Sequence, residues 1–135
     1  MLFDKLSPEM VQALIEAMPA ELTVIDANDE VAGWNKHETR LFRRPMTAMG
    51  MNFRQCHPEK SLAMVERLIG EMKAGTRDKA TFWIDMEVAA GEPKHKIFIE
   101  FYALRDDKGK YIGCMEFTQD VQAIRELQGQ KRLMD

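Results

Sequence analysis

Residues 76–121 limit what this chain can fold into more than any other stretch. Three segments of alternating apolar character, 80–88, 96–105 and 111–121, are joined by two short polar runs. Those runs, Ala90-Gly91-Glu92-Pro93-Lys94 and Asp106-Asp107-Lys108-Gly109-Lys110, carry the residues that reverse a chain between paired strands. A period of two marks a half-buried strand, so a three-stranded antiparallel meander is expected. Its apolar face has to be covered, and the cover must come from the residues before it.

Those residues supply helices and two more strands. Ser7 is a good N-cap with Pro8 behind it, and Met10, Val11, Leu14, Ile15 and Met18 form one stripe, so 8–18 reads as an amphipathic helix ended by Pro19. Residues 22–26 and 30–35 read as a strand pair around the Ala27-Asn28-Asp29 turn. Residues 36–57 are irregular, with short helical turns expected around 37–42 and 48–53. Pro58 opens the longest helix, where Leu62, Val65, Leu68, Ile69 and Met72 recur at helical spacing and Gly75 is the expected C-terminal cap. The predicted fold class is α+β: a five-stranded antiparallel sheet with helices packed on one face, plus N-terminal and C-terminal flanking helices.

Composition narrows the function. A chain of 135 residues makes one domain with a real core. Its net charge of −3 gives no electrostatic case for nucleic acid or an anionic membrane. No apolar run is long enough to span a bilayer, and the N-terminus lacks the regions of a signal peptide. Cys56 and Cys114 make no disulfide framework, and read as reduced thiols of a cytoplasmic protein. Eleven methionines suit a deformable pocket, as they also suit a loosely specified core.

The order of elements, with its residues, resembles a PAS domain. Residues 20–29 resemble the first PAS strand and its polar turn. Trp34-Asn35 resembles the end of the second strand, and His57-Pro58-Glu59 the motif that opens the long helix. Asp107-Lys108-Gly109-Lys110-Tyr111-Ile112-Gly113 resembles the last hairpin, and Gln119-Asp120-Val121 the closing Asp-Ile-Thr. More narrowly, residues 53–61, with Phe82-Trp83-Ile84 and residues 131–135, resemble a bacterial family in which this PAS type accompanies a haemerythrin-like domain. The resemblance implies a flanking helix at 1–19, a PAS domain at 20–121 and a signalling or linker helix at 122–135. It also implies a sensory module with a cavity for a small molecule, dimerising through its flanks, with a signalling or haemerythrin-like partner. In the tail, Ile124, Leu127, Lys131 and Met134 fit a short heptad seam, which Gly129 weakens.

The expected pocket is apolar. Leu41, Phe42, Met46, Met49, Met51, Phe53, Cys56, Met64 and Leu68 would line it from the helical side, and Ile84, Met86, Ile97, Ile99, Phe101, Met115 and Phe117 from the sheet. The same pattern also describes a plain core. Asn35, Asn52, Gln55 and Thr118 are candidate polar contacts, and Arg54 a candidate clamp for a carboxylate or phosphate. Arg43-Arg44-Pro45 would favour an anion, though such a run is usually just an exposed loop.

No metal site is predicted. Cys56-His57 is the one place where two good ligands adjoin, and no partner pair completes a zinc set. The helix-capping reading of His57 is preferred, with axial ligation of a haem by Cys56 or His57 as the alternative. A flavin adduct is disfavoured, because Phe53 stands where the light-sensing motif has its cysteine. His37 and His95 read as exposed or hydrogen-bonded. The cofactor, if any, is left open.

Two other classes compete with the sensor. A small α+β enzyme would use Asp26, Asp85 or Glu100 as a buried base, yet no His or Tyr pairs with them at a compelling spacing, and no nucleotide or nucleophile motif is present. No catalytic residue is predicted. A pure interaction module, its cavity filled by its own side chains, needs the same apolar pattern as a ligand-binding domain.

Overall fold

Ser7 starts the first helix as its sequence predicts: its Oγ accepts from the Met10 N–H at 3.2 Å, and Pro8 fills the first turn of α1 (Pro8–Ala17). The computed structural model describes residues 3–134. Strands β1 (Glu21–Asp26) and β2 (Val31–Trp34) follow as an antiparallel pair. Their turn is held by Asp26, whose Oδ1 accepts from the N–H groups of Asn28 and Glu30, and by Asp29 at a φ of 66°.

Between β2 and the long helix the chain is irregular, as expected, but the helical turns fall elsewhere. They are a 3-10 turn at Met46–Ala48 and a short helix, α2 (Phe53–Cys56). Asn52 caps α2, its Oδ1 accepting from the Arg54 N–H at 3.0 Å. Helix α3 (Glu59–Ala74) ends at Gly75, whose φ of 80° lets its N–H return to the last carbonyls of the helix.

Strands β3 (Lys79–Met86), β4 (His95–Arg105) and β5 (Tyr111–Asp120) form the expected meander. The five strands make one antiparallel sheet in the order β2-β1-β5-β4-β3, so β5 crosses back to lie beside β1. The α+β class and the five-stranded sheet are as the sequence indicated.

Register decides which side chains meet the helices. Ile25, Cys114, Ala103, Phe101 and Ala80 share a face by strand pairing. Leu68 and Met72 of α3 pack there on Phe101 and Cys114, while Val65 and Ile69 pack on Ile25 and Phe53. Asp29 fastens this layer: it pairs with Lys73 of α3 at 2.7 Å and with Arg54 of α2 at 3.2 Å.

The tail differs from the expected helix over 122–135. It is a single turn, α4 (Gln122–Arg125), and the seam of Ile124, Leu127, Lys131 and Met134 does not form. Gly129 sits at a φ of 64°, outside the helical region, and Leu127 and Met134 are exposed with no core to pack on. Short helices without tertiary partners are marginal. Asp135 lies outside the described residues.

Candidate functional site

A partly open cavity of about 740 Å³ lies between the inner face of the sheet and the segment 41–65. Its sheet wall is Phe82, Ile84, Ile99 and Phe101. The helical wall is Leu41, Phe42, Cys56, His57, Pro58, Ser61, Met64 and Val65, and the polar lining is Arg43, Arg44 and Glu116. Strand pairing explains the sheet wall, since Phe82 opposes Ile99, Ile84 opposes Ile97, and Phe101 opposes Glu116.

The roof is held by charge. Glu21 points inward from β1, and its carboxylate accepts from the N–H groups of Leu41 and Phe42 at 2.7 and 3.0 Å. Arg40, buried beside it, donates to the carbonyls of Leu22, Asn35 and Phe42 and to the Thr23 hydroxyl. Burial holds the Arg40 guanidinium below its ordinary value; Glu21 offsets this and the neighbouring Arg44 adds to it. These contacts set the loop after β2 over the cavity and fix Leu41 and Phe42 in its wall.

Arg44 reaches the cavity from the same loop. Its Nε donates to Thr23 Oγ1 at 2.9 Å, and its Nη2 lies 3.7 Å from Glu116 Oε2. Thr23 and Glu116 are direct cross-strand partners, so β1 and β5 together present the acceptors that receive Arg44. An apolar chamber with one ion pair in its lining can bind a small molecule and orient its polar end.

Of the residues expected in the pocket, Leu41, Phe42, Cys56, Met64, Ile84, Ile99 and Phe101 lie in its wall. Others lie elsewhere. Phe53 and Ile97 are fully buried in the core rather than in the lining, because α2 folds Phe53 against Ile25, Val65 and Ile69. Leu68 is core and borders a separate hollow of about 300 Å³ beside α3. Met46 and Met49 are exposed at the 3-10 turn. Met51 and Met86 are half-buried outside the lining.

Met115 and Phe117 are corrected by register. They pair with Val24 and Leu22 and alternate with Glu116, so they lie on the outer face of the sheet. The polar candidates are corrected too. Asn35 spends its amide on backbone groups, Asn52 caps α2, Gln55 is exposed, and Thr118 is buried beside Glu21 in the register. Arg54 is paired with Asp29 and Glu66 over the Phe53 ring, outside the cavity.

His57 does not cap α3, whose N-cap is Pro58 without a side-chain bond. Its Nδ1 lies 2.9 Å from the Phe53 carbonyl, so Nδ1 donates there and Nε2 is the ring nitrogen outside this bond. That nitrogen and the Cys56 thiol are the cavity groups suited to a haem iron. Among the described residues no group of three or more His, Cys, Asp or Glu converges as a metal site. His95 is bonded to Asp120 at 2.6 Å, and His37 accepts from the Trp34 indole at 2.9 Å. The strand carboxylates weighed for an enzyme lie outside the cavity: Asp26 holds its turn, Asp85 pairs with Lys96, and Glu100 lies on the outer face.

Sequence reasoning passed over Phe82, Arg40, Glu21 and Glu116. The signal for the last three was present: a glutamate inside an apolar strand needs a buried cation, and three arginines lie at 40, 43 and 44.

Fold and cavity together define an α+β domain with a hollow between its sheet and its helical segments. A family described as PAS domain matches residues 11–122, and the chain belongs to that family. Among solved structures it is similar to the C-terminal domain of a Streptococcus mutans protein, with a TM-score of 0.79 and 26% identity over 91% of each chain. It is also similar in fold to the PAS domain of Bordetella pertussis BvgS, with a TM-score of 0.60 and 17% identity over 87% of this chain and 91% of that one. A sensory box sensor histidine kinase of Vibrio cholerae gives a TM-score of 0.57 and 14% identity over 84% and 90%. No curated protein matches the chain. No helix among the described residues is long and apolar enough to cross a membrane.

Proposed function

We propose that this PAS domain is a cytoplasmic sensory module that binds a small molecule in its central cavity and passes the occupied state through its flanking segments in a homodimer. The observation that carries the reading is the cavity itself. About 740 Å³ of largely apolar space is left beside a closely packed core, whereas a module filled by its own side chains would close it. A ligand acts by binding one of two conformations better, and the loop over residues 41–44 is the wall whose placement rests on a few polar contacts.

The flanks suit the second half of the proposal. Met10, Val11, Leu14 and Ile15 of α1 form an exposed apolar stripe, and none of the helix is buried. Such a stripe at the end of a domain is covered by a second copy or an output partner. The likeness of residues 53–61 to proteins that pair this PAS type with a haemerythrin-like domain makes such a domain one candidate partner. The two unpaired thiols fit a reducing compartment.

The test is an absorption spectrum of the protein as purified, then mass spectrometry of what denaturation releases. A colourless protein releasing one stoichiometric small molecule supports the proposal. A Soret band that shifts in Cys56→Ala or His57→Ala assigns a haem instead. An empty protein that also binds no apolar probe in saturable fashion moves the domain to the class of interaction modules. Light scattering at several concentrations reads the dimer independently.

A further inference from the structure

We propose that the cavity selects an apolar molecule carrying one anionic group, a carboxylate or a sulfonate, and that Arg44 is its anchor. This rests on the reading of the cavity as a ligand site, and it names the ligand's class.

The charge in the lining is unbalanced. The lining holds two arginines, Arg43 and Arg44, and one carboxylate, Glu116, a formal surplus of one positive charge. Behind them Arg40 is balanced in net charge by Glu21 and spends its nitrogens on four other acceptors, so it offers a ligand nothing. Arg43 is exposed and makes no ion pair among the described residues, so water screens it. Arg44 is different: its side chain is 14% exposed and that of Glu116 15%, so their charges lie largely out of water.

Glu116 does not use up Arg44. A direct charge-assisted hydrogen bond runs at roughly 2.7–2.9 Å, and this pair stands at 3.7 Å. Among the described residues the one hydrogen bond of the Arg44 fork runs from Nε to the Thr23 hydroxyl, which also receives Arg40 Nη2 at 2.9 Å. Two guanidiniums therefore converge on one neutral oxygen. An oxyanion in the cavity would take the terminal nitrogens of Arg44 in the bidentate geometry that Arg favours, and would relieve that convergence. A cation would be repelled by the Arg44 guanidinium, and a neutral molecule would leave its terminal nitrogens without a direct charged partner. Phe82, Ile84, Ile99 and Phe101 then hold the apolar body away from water.

The test uses two fluorescent probes that share one aromatic body. 1-Anilinonaphthalene-8-sulfonate carries the anion, and N-phenyl-1-naphthylamine lacks it. Titrated into the purified chain, the sulfonate is expected to bind one per chain and about tenfold more tightly than the neutral probe. Arg44→Met should abolish that preference while leaving the neutral probe's affinity in place. Glu116→Gln, which frees Arg44 from its internal counter-ion, should tighten the sulfonate several-fold and leave the neutral probe unchanged, whereas a loosened fold would raise the binding of both probes. Equal binding of the two probes, or a preference that survives Arg44→Met, overturns the anionic class and leaves the ligand site standing. Saturable binding of neither probe overturns both.

Discussion

Asn35 and Leu22 hold each other twice. The Leu22 N–H donates to Asn35 Oδ1 at 2.6 Å, and the Asn35 N–H donates to the Leu22 carbonyl at 3.2 Å. The Asn35 amide nitrogen then reaches the carbonyls of Ile15 and Ala20, tying the end of α1 to the first strand. Asn35 is 1% exposed, so water cannot replace these bonds. Asn35→Leu should strand three backbone groups and cost on the order of 2–4 kcal/mol, read as a lower urea midpoint with an unchanged slope. Asn35→Asp, protonated at acidic pH, keeps the acceptor and one of the two donors, and should fall there between that variant and the parent.

Gly113 is required by a contact, not by its dihedral angles. A Cβ there would stand 2.6 Å from the Ile25 carbonyl oxygen, which belongs to the neighbouring strand. Backbone cannot step aside as a side chain can, so Gly113→Ala must push β1 from β5. A loss of about 1–3 kcal/mol is expected, measured as a fall in melting temperature. The same substitution at Gly33, where a Cβ meets nothing within 4 Å, serves as the control.

The fold was legible because its signals are local. The Ser7 cap, the Gly75 stop and the two polar hairpins each name a boundary without help from the rest of the chain. The site was legible only where apolar residues face inward. At the junction of β1 and β5 the pattern inverts: Glu21, Thr23, Glu116 and Thr118 face the helices, while Leu22, Val24, Met115 and Phe117 face outward. An ion-pair and hydrogen-bond network fills the inner face there, so choosing a face by apolarity picks the wrong one for β5. Arg44 was visible as one of two arginines that would favour an anion, but its loop read as exposed. Its role depends on Thr23 and Glu116, which are remote in sequence and meet only through the crossover of β5.

Glu100 should make stability depend on acid. It is nearly buried on the outer face, accepts from the hydroxyls of Tyr102 and Thr81, and pairs with Lys79 at 3.0 Å. The Tyr102 hydrogen bond above all, with Thr81 and Lys79, outweighs the opposing effect of burial and holds the carboxyl below its usual range. A lowered folded-state value means that the contribution is present above the unfolded value, about 4.3, and is lost as pH falls through the folded one. The urea midpoint should therefore drop as pH falls from about 5 to about 3, and drop less in Glu100→Gln. Equal slopes in the two proteins would remove Glu100 from the account.

The two thiols should separate cleanly, and one of them reports on the cavity. Cys114 is 1% exposed, and burial, reinforced by the Glu116 carboxylate, pushes its thiol up to about 12. The thiolate is the reacting form, so Cys114 is inert on both counts. Cys56 is half-buried and lies in the cavity wall. In the native protein Ellman's reagent should titrate one thiol quickly, and two after unfolding. Cys56→Ser should abolish the fast phase, whereas Cys114→Ser should leave it unchanged. Saturating N-phenyl-1-naphthylamine should slow the Cys56 reaction several-fold, because a molecule held between α3 and the sheet covers that wall. A bound probe that leaves the rate unaltered would sit elsewhere on the protein, and the α1 stripe would be the first place to look.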